Sequence, residues 1–528
     1  MPSTLATLAL LAPAGLLLAA LLPLNSSGRR PTSRLRVSRL ATLSALLLAV
    51  VAALLTASVG ATTSPLLGIA GVGLSVRLDA ISCSMFLLVA FVGVIVLQFS
   101  RNYLDGDARQ GDFMAGLCQT LAAVTLVILA GNLSQLVLAW IATSLSLHRL
   151  LVFYRERRPA RIAAHKKFIV ARVGDVCLIA ASMLLVIAFG SSDIATILAR
   201  AHSLSPATAP PILQLAALLI GIAALLKSAQ FPSHGWLPEV MDTPTPVSAL
   251  LHAGIINAGG FLMIRFAEVM LLSAPALHFI ALIGGFTALF GGVVMLTQTS
   301  VKGSLAWSTV AQMGFMTLQC GLGAFAIALL HLLAHSLYKA HAFLSSGSVV
   351  DVETIPSHHQ PRVVPVMLSL LLALGIYALL GWLFGVFARD EAAVLTLGAI
   401  LVMGVSLLLA PTLQGTPSVR LVMRTLAAAG AATIAYFVLE AAVTRLTATS
   451  LPKIPEPSVP GLLIMALAIA SFATVTVLQS LAPRWIHRPV WRAARVHLAN
   501  GLYVNAWFDR LVGARRQRES ARHPAHVV

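Results

Sequence analysis

Charge is what this chain has least of. Only 10% of its 528 residues are Asp, Glu, Lys or Arg, and 18 acidic residues face 36 basic ones. Soluble domains carry about 25% charged residues, so a string of water-soluble domains is excluded despite the length. Cysteine is equally scarce. Cys83, Cys118, Cys177 and Cys320 each stand alone in an apolar run. No CxxC pair or Cys/His cluster supplies a ligand set, so no zinc, iron–sulfur or other cofactor is expected in this chain, and the cysteines read as small packing residues. The net charge of +18 could suggest nucleic acid. However, the basic residues fall in the gaps between apolar runs without the aromatic interleaving that base stacking needs, so no nucleic-acid partner is expected.

What the chain has in excess is apolar sequence, 58% of all residues. Runs long enough to cross a bilayer, about 20 residues each, lie near 4–24, 40–62, 80–100, 113–131, 133–154, 168–190, 210–230, 246–272, 275–297, 303–322, 324–350, 363–387, 392–411, 421–441 and 461–483. The fold class is therefore all-α: a polytopic membrane protein of about fifteen transmembrane helices embedded in a lipid bilayer. The first run has no basic residues before it and reads as a span rather than a signal peptide. Arginine and lysine alternate between gaps. Arg29 to Arg39, Arg101 and Arg109, the RERRPARIAAHKK loop at 155–167, Lys302, Arg362, and Arg420 with Arg424 all fall on one side. The positive-inside rule then sets the N-terminus outside and the C-terminus in the cytoplasm. After the last span, residues 484–513 interleave Trp485, Trp491 and Trp507 with arginines. They read as an interfacial amphipathic helix, the alternative being an ordinary basic tail. The final residues have the composition of a disordered segment.

Ionisable groups inside a membrane cost about 2.5–3.5 kcal/mol each, so each needs a reason. Lys227 lies in an apolar helix, and Pro232, Pro238, Pro244 and Pro246 follow it. No straight helix passes through that spacing, and a broken membrane helix leaves carbonyls that hydrate a cavity. The competing reading is a lysine that snorkels to the interface. His252 stands on the helix that restarts after the break. His331, His335 and Lys339 recur every four residues, on one helical face. Such a stripe is either a proton relay or a polar packing seam. Arg172 and Asp175 are one turn apart and able to pair, as structural glue or as a gate. Asp79 and Glu239 are candidate partners for the lysines, and His148 lies at the edge of the basic loop.

Four stretches carry a resemblance: VARVGDV (170–176), KSAQFPSHGWLPEVMDTPTPVSALLHAG (227–254), VKGSLAWSTVAQMGF (301–315) and HLLAHSLYKAHAFLSSGSV (331–349). They resemble the antiporter-like subunits of respiratory complex I and of Mrp cation antiporters, over about residues 75 to 350. The resemblance implies inverted-repeat bundles with broken helices. It also implies a proton path through Lys227, His252 and Lys339, with His331 and His335 between. Beside it the residues themselves offer Arg172, Asp175, Glu239 and Asp79, and the family's second broken helix Arg389 and Asp390, as candidate gating or charge partners. The chain divides accordingly into N-terminal helices (1–112), an antiporter-like proton-conducting core (113–411), C-terminal helices (412–483) and a basic amphipathic cytoplasmic tail (484–528).

Three departures stand out. Proton-pumping members of the family carry a glutamate directly after the tryptophan of the fifth helix, where this chain has Ile141 after Trp140. The Lys-Asp-Glu motif of the family's second broken helix corresponds loosely to Arg389, Asp390 and Glu391. The long lateral helix of the complex I subunits has no counterpart after the last span. WIATSLSLHRLL (140–151), the 155–167 loop and the short tail instead resemble the DabB family, the membrane subunits of two-part inorganic carbon pumps. That resemblance implies a hetero-complex in the cell inner membrane. Its partner would be a DabA-like subunit similar to a zinc β-carbonic anhydrase, with zinc and hydration chemistry in the partner and cation conduction, not enzyme chemistry, here. The alternatives are a pumping subunit of an NADH–quinone oxidoreductase and an Mrp-type antiporter subunit.

Overall fold

A computed structural model of the chain describes residues 2–23, 31–69, 71–347, 362–389, 391–414, 418–485, 488–508 and 510. The N-terminal helices are α1 (Pro2–Ala6), α2 (Leu11–Leu21), α3 (Thr32–Val59), α4 (Ala80–Tyr103), α5 (Gln110–Ile128) and α6 (Leu133–Leu151). Two small antiparallel pairs precede α4: β1 (Thr62–Thr63) with β4 (Arg77–Leu78), and β2 (Leu67–Ile69) with β3 (Val72–Leu74). The chain continues through α7 (Arg158–Phe189), α8 (Ile194–His202), α9 (Pro211–Lys227), α10 (Trp236–Glu239), α11 (Thr245–Leu250), α12 (Ala258–Arg265) and α13 (Ala267–Leu271). Then come α14 (Ala274–Met295), α15 (Val301–Gly321), α16 (Phe325–Leu344), α17 (Val363–Leu383), α18 (Ala392–Leu413), α19 (Val419–Thr447), α20 (Val459–Leu481) and α21 (Pro489–Ala499).

Among the described residues, 12 helical stretches are long and apolar enough to cross a membrane. The three other expected runs are also helical. They are α9, short at 17 residues, and α6 and α15, whose Ser, Thr, Gln and His residues dilute their hydropathy. Large apolar side chains point outward, with Ile187 and Trp382 both 71% exposed, while charged groups such as Lys166, Lys339 and Arg265 lie inside. That inversion suits a lipid surround.

Local signals set the ends. Asp79 caps α4 with Ser82 in a reciprocal box, each side chain 2.9 Å from the other's backbone nitrogen. Gly190 ends α7 in the left-handed region. Two apolar clusters form the interior, one built on the N-terminal and central helices and a smaller one where α17 to α20 meet α14, α15 and α16. Between α14 and α15 the backbones nearly touch. A Cβ on Gly284 would stand 2.5 Å from the Leu318 nitrogen, and one on Gly314 2.4 Å from that of Ala288.

The helix that opens with α9 breaks as expected. After Lys227 the chain runs through Ala229, at φ +50°, a short turn at Ser233–Gly235, and α10. It resumes as α11, passes through a π-helical turn at Leu251–Ile255 and continues as α12. Around Arg389 the chain instead turns between α17 and α18, each of spanning length. Asp390 lies outside the described residues.

The tail departs from a single interfacial helix. α21 holds only 11 residues, and Gly501, Leu502 and Tyr503 all take positive φ (57°, 51° and 60°). This left-handed turn directs residues 504–508 back onto the protein, where Phe508 packs against the larger apolar cluster. The expected disordered end, residues 514–528, lies outside the described residues.

Candidate functional site: two buried lysine centres

Lys227 ends α9 where the backbone breaks, and it is 8% exposed. The snorkelling reading therefore fails, because the ammonium group points inward. Its Nζ sits 4.3 Å from the centre of the Trp140 ring and donates to the Trp140 carbonyl at 3.5 Å. So the residue preceding Ile141 meets the lysine through its ring face, a cation–π contact rather than an ion pair. Arg172 and Asp175 supply the nearby charges from α7, with Arg172 Nη2 2.7 Å from Asp175 Oδ2. The pair forms as expected, and it faces the lysine.

Sequence reasoning missed Lys167. The run 155–167 reads as a cytoplasmic loop, yet α7 begins at Arg158 and carries Lys166 and Lys167 inside the protein. Pro159, in the first turn of α7, is the signal that could have placed them there. Lys167 Nζ donates to the Ser144 carbonyl at 2.8 Å and to Ser144 Oγ at 2.9 Å. Lys167, Lys227, Trp140 and Trp236 line a cavity of about 20 Å³, room for about one water molecule. A second void, near 10 Å³, touches Lys227 from the side of Phe261 and Met85.

Lys166 turns the other way. Its Nζ donates to both Glu239 carboxylate oxygens, at 2.7 and 2.6 Å, and to Asn505 Oδ1 at 3.3 Å. Asn505 also donates to Glu239. Of the two acids proposed for lysines, then, Glu239 does pair with one, Lys166, and the tail closes over that pair. Asp79 does not. Its carboxylate bonds Arg265, at the end of α12, at 2.5 and 3.1 Å and Arg77, in β4 just before α4, at 2.9 Å, so two guanidiniums already occupy it. Arg389 pairs with Glu440 of α19 at 2.8 Å rather than serving either lysine centre.

The second centre gathers the remaining candidates. Lys339 is fully buried in α16 and donates to the Leu305 carbonyl at 3.1 Å. His252, in the π-turn, stacks on Phe343 with ring centres 4.4 Å apart, and its Nδ1 contacts Thr309 Oγ1 at 2.9 Å. Its Nε2 and that of His335 are buried with no hydrogen-bond partner among the described residues. His331 and His335 stand 6.2 Å apart, and Gln319 and Gln312 contact the two nitrogens of His331 at 3.0 and 2.8 Å. A neutral imidazole donates from only one nitrogen, so one amide must present its NH2 or the ring is charged. Asn257 ties the restarted helix to α16 through Ser336 at 2.6 Å. Thus His252, His331, His335 and Lys339 come together, and Lys227 stands apart with α7. Among the described residues no hydrogen bond joins the two groups. His148, whose Nδ1 is buried with no hydrogen-bond partner among the described residues, lies near Lys167.

Comparison with known proteins places this architecture. Residues 130–381 match the family model described as NADH:quinone oxidoreductase/Mrp antiporter, TM. Residues 67–114 match that for the N-terminus of complex I chain 5. The chain is 40% identical over 459 residues to a probable inorganic carbon transporter subunit DabB2 of Halothiobacillus neapolitanus, covering 84% of this chain and 81% of that one. It is 36% identical over 285 residues to an NAD(P)H-quinone oxidoreductase chain 5 of Synechocystis, covering 53% of this chain and 42% of that one. Its fold resembles a chain in the Mrp complex of Dietzia with TM-score 0.66 at 23% identity, covering 99% of this chain and 61% of that one. The chain belongs to the DabB family of inorganic carbon transporter subunits, within the NADH:quinone oxidoreductase/Mrp antiporter-like membrane proteins.

Proposed function

We propose that the chain is the membrane subunit of an energy-coupled inorganic carbon pump. Protons, or another cation, move down the membrane gradient through it and drive a DabA-like partner. That partner is a zinc carbonic-anhydrase-like protein that hydrates CO2 to bicarbonate in the cytoplasm. The observation that carries the conduction half is Lys227. It is buried at a helix break beside a cavity with room for water, and among the described residues no carboxylate is hydrogen-bonded to it. Such an amine can take up and release a proton, whereas a salt-bridged one is held charged. Lys339, with the histidines around it, supplies a second such station. Conduction runs between these two centres, with His252 and His335 on the side facing Lys339. The carbon half rests on the similarity to DabB2 along most of the chain. The arginine-rich gaps support an N-terminus outside the cell inner membrane and a cytoplasmic C-terminus.

The test is capture of the tagged protein from native membranes in mild detergent, with mass spectrometry and metal analysis. One large zinc-containing partner of soluble character is the expected result. Co-purifying flavin and iron–sulfur subunits would move the chain into an NADH–quinone oxidoreductase instead, and a set of small metal-free membrane proteins into an Mrp-type antiporter.

A further inference from the structure

The chamber around Lys227 holds a second lysine that the relay above does not use. The charged and titratable groups facing it are Lys227 from α9, Lys167, Arg172 and Asp175 from α7, and His148 from α6. Asp175 is the carboxylate of this set, and Arg172 stands against it. With both lysines charged, the chamber would carry two like charges around a cavity of about 20 Å³, and the one carboxylate named among the groups facing it, Asp175, is already paired with Arg172. Burial makes that arrangement strongly unfavourable. The hydrogen bonds of Lys167 offer the way out. Its Nζ makes two donated bonds, to the Ser144 carbonyl and hydroxyl, which uses the two N–H groups of a neutral amine and leaves its lone pair free.

We propose that Lys167 and Lys227 hold one proton between them, with Lys167 the second carrier of this centre. The inference rests on the conduction reading above. Protonated Lys227 gives an N–H proton to a water in the cavity, and that water gives one of its own to the lone pair of Lys167. One N–H bond breaks, one forms, the water is restored, and the charge of the chamber is unchanged. In this scheme the tuning that a glutamate after Trp140 would provide by attraction is provided by repulsion from a second amine.

The test is proton flux, read with a pH-sensitive dye, in liposomes holding the intact complex captured with its partner. Three variants are compared: Lys167→Gln, Lys167→Arg and Ser144→Ala. Recovery of the complex in detergent confirms that each is folded. Lys167→Gln is expected to lower flux about tenfold and to displace the flux–pH profile of the remainder toward higher pH, because a neighbouring positive charge is gone. Lys167→Arg keeps a donor for Ser144 but cannot release its proton, so it is expected to fail equally. Ser144→Ala, which removes one hydrogen bond, is expected to stay within about threefold of wild type. Wild-type flux in Lys167→Arg, or an unmoved profile in Lys167→Gln, would reduce Lys167 to a strut between α6 and α7 and overturn the proposal. Absence of flux in the wild-type complex would overturn the conduction reading itself.

Discussion

The two lysine centres solve the same physical problem with different materials. Around Lys227 the surroundings are an aromatic face and a second amine, both lining a small void, with an Arg–Asp pair nearby on α7. Around Lys339, among the described residues, no carboxylate is paired with the amine, whose neighbours are the Leu305 carbonyl, the adjacent Tyr338 ring at 5.5 Å and a file of imidazoles. Fixed charges surround the first centre, and imidazoles surround the second. The difference teaches that one buried lysine is not equivalent to another, even in one chain. In the proposed relay, the proton's stability at the first would depend on electrostatic neighbours. At the second, it would depend on what can take the proton next.

The strongest way to break the comparison is to remove either amine. Lys227→Ala and Lys339→Ala are both expected to abolish proton flux in reconstituted complex, with the protein still inserted and its partner still captured. Wild-type flux in both would end the two-centre description. Next in size is Asp175→Asn. Loss of the carboxylate charge leaves Arg172 and the proton held between Lys167 and Lys227 uncompensated, with flux expected to fall about tenfold, a change of about 1.4 kcal/mol. The flux–pH profile should move toward lower pH. The same substitution should leave a probe at His335 unmoved, since Asp175 belongs to the first centre alone.

Thr309→Val acts on the second centre. It removes the partner of His252 Nδ1 and leaves both ring nitrogens buried and unsatisfied. A loss of about 1–3 kcal/mol in stability, seen as a lower unfolding temperature in detergent, is expected, with about fivefold less flux. The smallest effect is expected from Trp140→Phe, which keeps a ring under Lys227 but weakens its field. Flux should fall about twofold to threefold. A larger fall with Trp140→Leu than with Phe would sharpen the claim that the ring face, not side-chain volume, holds the lysine.

Much of the fold was legible because bilayer spans announce themselves by length and hydropathy. The break after Lys227 was legible because prolines cannot be threaded through a helix. The His331, His335 and Lys339 stripe was legible because helical periodicity alone puts the three on one face. Pairings were not. Asp79 looks like a partner for a buried lysine until Arg265, 186 residues later, is folded against it. Lys167 was hidden for a different reason. A run of basic residues usually lies in water, and only the packing of α6 and α10 against the start of α7 draws its last two members inside. The tail was misjudged because its tryptophans and arginines suit a membrane surface equally well whether or not the chain then turns back. Nothing local announces that Asn505 reaches Glu239.

The π-helical turn at Leu251–Ile255 has a consequence for how one helix serves both centres. Here the Ile256 nitrogen bonds the Leu251 carbonyl, five residues back, so the turn holds one surplus residue. In an uninterrupted α-helix each residue advances about 100° around the axis, so the surplus sets everything after it out of phase with what precedes it by about that angle. His252 can thus aim at α15 and α16, while Gly259, two turns later, lies so close to Ser228 and Ala224 beside Lys227 that a Cβ would stand 2.3 Å from the serine hydroxyl. Were the surplus absent, one of these two faces would have to turn away. The π-turn is a phase shifter, and deleting one residue within it would uncouple the alignment of the two centres without touching either lysine.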